Sequence, residues 1–118
     1  SYSTFEYSNL SLSDLSIYKD GTVKVKAEVA NTGKMDADEI VQLYIRDRVG
    51  SITRPIKELK GFRRLHLKAG EKAEVEFTIK GEDLCFFNGK ETLTEPGEFD
   101  VWVGPNSNEG LHGEFIIN

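Results

Sequence analysis

The sequence predicts an all-β protein, an antiparallel sandwich of about seven short strands. Three observations predict it. Apolar and polar residues alternate at period two in several segments, as strands with one buried face do. Turn signals rich in Gly, Asn and Asp separate those segments. No segment carries the spacing of an amphipathic helix, so helices should span a turn or two at most. The chain has 118 residues, 38% of them hydrophobic and 30% charged, which suits one domain with its own core.

In chain order, Phe5 and Tyr7 alternate with Glu6 and Ser8. The apolar phase then shifts at Asn9 toward Leu10, Leu12 and Leu15, which requires a bulge or a break. Asp20-Gly21 is a hairpin-type turn. Thr22–Asn31 is the most regular strand, with Val23, Val25, Ala27 and Val29 on one face and Lys24, Lys26 and Glu28 on the other. Residues 34–39 form a solvated acidic loop. Residues 40–47 place Val41, Leu43 and Ile45 inward and Gln42, Tyr44 and Arg46 outward.

Residues 53–72 connect strands. Ile56, Leu59, Phe62, Leu65 and Leu67 form one buried face among Lys57, Lys60, Arg63, Arg64 and Lys68, with a bend or bulge at Gly61. Residues 72–80 alternate again, with Ala73, Val75, Phe77 and Ile79 inward. Residues 84–87 are a short apolar plug that buries Cys85, and Asn88-Gly89 is a second hairpin-type turn. Residues 97–104 place Phe99, Val101 and Val103 inward and Asp100 and Trp102 outward. Residues 111–117 form the last strand. This series matches the immunoglobulin-like sandwich, without the cysteine–tryptophan–cysteine pattern of antibody domains. Phe99 replaces the corner tyrosine.

The runs Val41-Gln42-Leu43-Tyr44-Ile45-Arg46-Asp47, Thr53-Arg54-Pro55, Lys57-Glu58-Leu59-Lys60-Gly61-Phe62 and Leu67-Lys68-Ala69-Gly70-Glu71 occur in that order. Together they resemble the fibronectin type III-like domain that ends family 3 glycoside hydrolases, the β-glucosidase family. Glu95-Pro96-Gly97-Glu98-Phe99, Val103-Gly104 and residues 2–10 extend the likeness over nearly the whole chain. The resemblance implies an immunoglobulin/fibronectin type III-like fold. It also implies that residues 1–118 are a single accessory domain excised from a larger hydrolase. That hydrolase would cleave β-glycosides in carbohydrate metabolism. Any export signal would lie outside this fragment, so the parent is either cytoplasmic or exported.

The same resemblance places the catalytic aspartate and the acid/base in domains that precede this one, and neither motif occurs here. No catalytic residue is therefore expected in this chain. With 20 acidic residues, chance pairs at a glycosidase's carboxylate spacing of about 5–9 Å are ordinary. No cofactor or metal is expected either. His66 and His112 have no cysteine or carboxylate partner at zinc-ligand spacing, and the acidic run at 36–39 lacks the pattern of a calcium loop. A net charge of −5 argues against nucleic acid, whose phosphates need cations. No stretch reaches the ~20 apolar residues of a membrane helix.

Three functions follow. One is a module that docks on and stabilises the catalytic domains of the parent glycosidase, monomeric when isolated. A second is a carbohydrate-binding module that stacks Tyr44 and Trp102 on the sugar rings of a polysaccharide. A third is a free-standing adhesion-type fibronectin domain. The ordered motifs favour the first. If residues 40–47 and 97–104 pair in one sheet, then Gln42, Tyr44, Arg46, Asp100 and Trp102 form one outward patch. Arg54, Lys57 and Lys60 extend it with positive charge. Trp, Tyr and Arg are the usual anchors of interfaces, so this patch is the candidate docking surface.

Overall fold

The alternating segments become two sheets that press their apolar faces together. The computed structural model describes residues 4–48, 57–84, 86–87, 89–90, 92–94 and 96–118, with the backbone alone at 86–87 and 92–93. The strands are β1 (Phe5–Leu12), β2 (Ser16–Ile17), β3 (Thr22–Asn31), β4 (Ala37–Asp47), β5 (Glu58–Leu67), β6 (Lys72–Lys80), β7 (Phe86–Phe87), β8 (Thr92–Leu93), β9 (Gly97–Gly104) and β10 (Leu111–Ile117). A 3-10 turn, Gly81–Leu84, follows β6. One sheet runs β1-β3-β6 and the other β2-β10-β9-β4-β5, while β7 and β8 form a separate small hairpin. The pairings are antiparallel except for the two-residue β2, which lies parallel to β10.

Valine-rich strands of period two suit this architecture, because β-branched side chains fit a pleated, half-buried surface. Val23, Val25 and Val29 of β3 and Val75, Phe77 and Ile79 of β6 face Val41, Leu43 and Ile45 of β4 and Phe99, Val101 and Val103 of β9; all are buried. Each such side chain contributes about 1.5–3 kcal/mol on leaving water. Phe99 and Phe115 stack across the β9–β10 pair, with ring centroids 5.4 Å apart. The phase shift in β1 is a bulge between Ser8 and Ser11. Asn9 adopts φ 55° there, and its amide donates to Glu28 Oε2 at 2.8 Å.

The structure corrects three expectations. Asp20-Gly21 does not close a hairpin, because β2 and β3 belong to different sheets. Gly21 N instead donates to Tyr18 O at 2.8 Å, tightening the crossover. The acidic run is a solvated loop only over residues 34–36, which are exposed. Strand β4 starts at Ala37, Glu39 accepts a bond from the Tyr7 hydroxyl at 3.0 Å, and Asp36 Oδ1 accepts one from Ala69 N at 3.0 Å. Burial, and then the charge of Glu39, push the Tyr7 phenol well above its usual range.

The third correction concerns β5. Leu67 is buried and Leu65 packs partly against the core, but Leu59 and Phe62 are exposed. Leu59 aligns with Tyr44 and Gly61 with Leu43, so Lys60 is the extra residue of a bulge. The inward positions fall to Gly61 and Arg63. A Cβ at Gly61 would lie 3.2 Å from Phe77 Cδ1, so Phe77 of the facing sheet already fills that volume. Arg63 lies 4.7 Å over the Phe77 ring and donates to Glu76 O at 3.1 Å, bridging the edges of β5 and β6. Cys85, Arg54 and Ile56 lie outside the described residues.

The end of β3 is held by Asn31, which is fully buried. Its Nδ2 donates to Met35 O at 2.8 Å and Leu67 O at 3.0 Å, and its Oδ1 accepts from Gly33 N at 2.9 Å. One amide thus joins the two sheets and the turn after β3. Asn31→Ala strands these groups without partners, and each unsatisfied buried group costs about 1–3 kcal/mol. In urea unfolding of the 118-residue chain, the variant should lose roughly 2–4 kcal/mol. A loss below about 0.5 kcal/mol, the usual range of a surface change, would show that the amide is not a joint between the sheets.

Candidate docking surface

The outward face of the five-stranded sheet is built in rows. Antiparallel pairing sets partners side by side on the same face. Tyr44 aligns with Trp102, and Arg46 with Asp100. Trp102 also aligns with His112, and Asp100 with Glu114. On the other flank, Gln42 aligns with Phe62 and Tyr44 with Leu59. The structure therefore brings Gln42, Tyr44, Arg46, Asp100 and Trp102 together on one face. Lys57, the residue before β5, joins them. Lys60 sits in the bulge and pairs with Glu58 at 3.2 Å.

Asp100 departs from the expectation of an outward contact residue. It is on the outer face, yet only 1% exposed. Arg46 Nη2 donates to its Oδ2 at 2.8 Å, and Arg48 Nη2 to its Oδ1 at 2.7 Å. His112 Nε2 lies 2.7 Å from the same Oδ1. Hydrogen bonds from Arg48, then from His112 and Arg46, hold the Asp100 carboxyl well below its usual range, against the opposing effect of burial. Arg48 also donates to Glu98 Oε2 at 2.8 Å and to Glu114 Oε1 at 2.6 Å. Asp100 is thus the buried centre of an ionic network, and the residues above it form the surface.

Trp102 is half-buried by its own domain. Lys57 Nζ lies 4.1 Å from the ring centroid and Arg46 Cζ 5.1 Å, positions that favour cation–π attraction. The His112 ring lies 5.1 Å away, tilted by 33°. Lys57 Nζ also donates to Ser107 O at 2.7 Å, tying the β9–β10 connection to the residue that leads into β5. The Tyr44 hydroxyl donates to Gln42 Oε1 at 2.5 Å. His66 is exposed, with its Nδ1 2.6 Å from Asp38 Oδ1.

Two chemistries come close in geometry. The ligand atoms of Asp100, His112 and Glu114 lie within 4.8 Å of one another, close enough to raise both a metal site and a glycosidase's carboxylate pair. Arg48, however, binds both carboxylates, and Asp100, whose carboxyl is held ionised, has no proton to give. Arg48 Nη2 bridges Asp100 Oδ1 and Glu114 Oε1, so a metal cation would have to compete with a bound guanidinium for the same oxygens. Sequence reasoning missed Arg48, Glu98, His112 and Glu114 as members of this network. Their signal was present, because Glu98, Asp100 and Trp102 share one phase and His112 and Glu114 another, but the register that joins the strands was not.

Residues 39–107 match the family described as the fibronectin type III-like domain. The chain is 45% identical over 111 residues to a β-glucosidase of Bacteroides ovatus, covering 92% of this chain and 15% of that protein. It is 44% identical over 108 residues to a putative β-xylosidase of Formosa agariphila, covering 91% of this chain and 14% of that protein. Among solved structures, β-glucosidase 3B of Thermotoga neapolitana in complex with glucose superposes with a TM-score of 0.88 at 39% identity, covering 99% of this chain and 16% of that one. The chain therefore spans about one-sixth or less of the length of these three proteins. The resemblance read from the motifs and the fold read from the alternation agree with these matches.

The network makes a pH prediction. Asp100 has a folded pKa below its unfolded value of about 3.9. It therefore contributes stability that is complete above that unfolded value and is lost as pH falls through and below it. Breaking a buried ion pair costs about 3–5 kcal/mol, and the guanidinium groups here keep about a third of their surface in water. Asp100→Asn should therefore cost on the order of 2–4 kcal/mol at pH 7. The gap between the two proteins should narrow as pH drops below about 4. Denaturant curves taken from pH 7 to pH 2 check this, and a gap that stays constant over that range contradicts it.

Proposed function

This chain belongs to the fibronectin type III-like domain family, and from that premise we propose that it is a non-catalytic accessory domain of a family 3 glycoside hydrolase. It docks on the catalytic domains that cleave β-glycosides and stabilises them. The single observation behind this reading is the match of more than nine-tenths of the chain to about 15% of a β-glucosidase. A likeness of equal strength to a putative β-xylosidase supports a role common to enzymes that act on different sugars. Choice of sugar then belongs to the catalytic domains.

The proposed docking surface is the outward face of the β4–β9 pair and its flank: Gln42, Tyr44, Arg46, Lys57, Lys60 and Trp102, with Asp100 as their buried support. Arg54 belongs to the same proposal on sequence grounds. The alternative of a carbohydrate-binding module loses support at Trp102. A sugar-stacking platform needs an open aromatic face, and Lys57, Arg46 and His112 crowd this ring. Interfaces between domains of one chain cover about 600–1,500 Å², an area one sheet face can supply. A domain that binds only the folded form of its neighbour raises the neighbour's stability.

Two outcomes are expected. The purified 118-residue chain turns over neither an aryl β-glucoside nor an aryl β-xyloside. Turnover abolished by replacing one of its carboxylates would defeat the accessory reading. Deleting these residues from the full-length polypeptide lowers its melting temperature by at least ~2–4 °C, the shift that about 1 kcal/mol produces in a medium-sized domain. An unchanged melting temperature and activity would remove the stabilising role.

A further inference from the structure

We infer, resting on the docking reading above, that the contact is carried by an apolar stripe of Ile40, Phe62 and Leu59, and that its occupant is an apolar surface of the same polypeptide's catalytic part. These side chains are 48%, 61% and 52% exposed. Single exposed apolar residues are ordinary. These three share the outer face of one strand pair: Phe62 aligns with Gln42, Leu59 with Tyr44, and Ile40 with Arg64 next to Phe62 along the face.

The opposite face of the sandwich supplies the contrast. Among the described residues, the outer face of β1-β3-β6 presents no exposed large apolar side chain. It carries Lys24, Lys26, Glu28, Glu74, Glu76 and Thr78, with Lys26–Glu76 and Lys72–Glu28 contacts at 3.7 and 3.6 Å. A single domain with two free faces has no reason to treat them so differently.

The charges around the stripe define the occupant. Arg64 pairs with Asp38 at 3.0 Å, Lys60 with Glu58 at 3.2 Å, and Arg46 with Asp100 at 2.8 Å. Lys57 is engaged by Trp102 and Ser107 O. These cations have partners inside the domain, so the rim does not call for an acidic surface. An apolar centre with a satisfied polar rim is the anatomy of a protein interface, and it fits aliphatic or aromatic side chains.

Size decides between a tethered and a free partner. Three side chains offer well under the ~800 Å² per partner of a free-standing complex. A tethered partner needs less, because linkage supplies an effective concentration of about millimolar. In the relatives, about five-sixths of the polypeptide lies outside this domain. Edge-to-edge self-association is discouraged by the bulge at Lys60 and by the charges of Lys60 and Arg64 on the edge strand.

The test places cysteine on the stripe and on the opposite face. Phe62→Cys, Ile40→Cys and the control Thr78→Cys are labelled with a thiol reagent, both in the 118-residue chain and in the full-length polypeptide. Peptide mass spectrometry counts each site apart from Cys85. Labelling at 62 and 40 should slow at least about tenfold in the full-length polypeptide, as buried sites do, while 78 keeps its rate. A second variant, Leu59→Ser, should lower the melting temperature of the full-length polypeptide by more than it lowers that of the 118-residue chain. If 62 and 40 label equally in both contexts while deletion of the domain still destabilises the parent, the stripe is wrong and docking stands. If neither site is slowed and deletion has no effect, the docking reading falls with it. Protection in the 118-residue chain that disappears on dilution means a second copy is the occupant. Protection induced there by laminarin means a glycan is. Either result overturns the inference.

Discussion

The register between β4 and β9 is the constraint on which the rest of this domain depends. Side chains alternate across a strand, so a slip of one residue would exchange every inward and outward position. In the observed register Leu43 meets Val103 and Ile45 meets Val101, closing the core. The same register sets Tyr44 beside Trp102 and Arg46 beside Asp100. The core and the candidate docking surface are thus two readings of one pairing. An apolar core that must stay dry fixes where the outward side chains stand.

The buried carboxylate shows how the face is made rigid. A lone ionised carboxylate in this position would be costly, because water can no longer solvate it. Two guanidinium groups and an imidazole surround Asp100, and each of the strands β4, β9 and β10 contributes to the set or ends beside it. Arg48 extends the network to Glu98 and Glu114. Arg46, which holds Asp100, also lies over the Trp102 ring, and Lys57 crowds the same ring. Side chains with so many partners lose little further freedom on association, which lowers the entropic cost of binding. A preformed surface of this kind suits a structural contact better than a reaction, for which a group must give or take a proton.

Strand β5 shows why a segment rich in apolar residues can still mislead. Its posts at three-residue spacing suggested one buried face. A strand, however, alternates at period two, so posts three apart lie on opposite faces unless a bulge intervenes. The bulge at Lys60 restores Leu59 to the side of Phe62, and that side is the outer one. Phe77, from the facing sheet, occupies the space where an inward post would have packed. Leu59 and Phe62, displaced in this way, stand with Ile40 of β4 on the outer face beside Tyr44.

Local patterning was enough for much of this protein. Period-two alternation identified β3, β4, β6 and β9 and their inward faces, because a strand with one dry face imposes that period on its own sequence. The phase shift at Asn9 revealed the bulge for the same reason. The ordered motifs pointed to the family, and the alternation in residues 40–47 and 97–104 placed Tyr44, Arg46, Asp100 and Trp102 on outward phases. The tertiary structure alone decided what depends on partners distant in sequence. Asp20-Gly21 looks like a hairpin turn whichever sheet receives the next strand. Asp100 looks exposed until Arg48 and His112, 52 and 12 residues away, close over it. Phe62 looks buried until Phe77 has filled the space behind Gly61. An outward phase states only which way a side chain leaves its strand; whether water reaches it is settled by the neighbours that pairing and packing bring alongside.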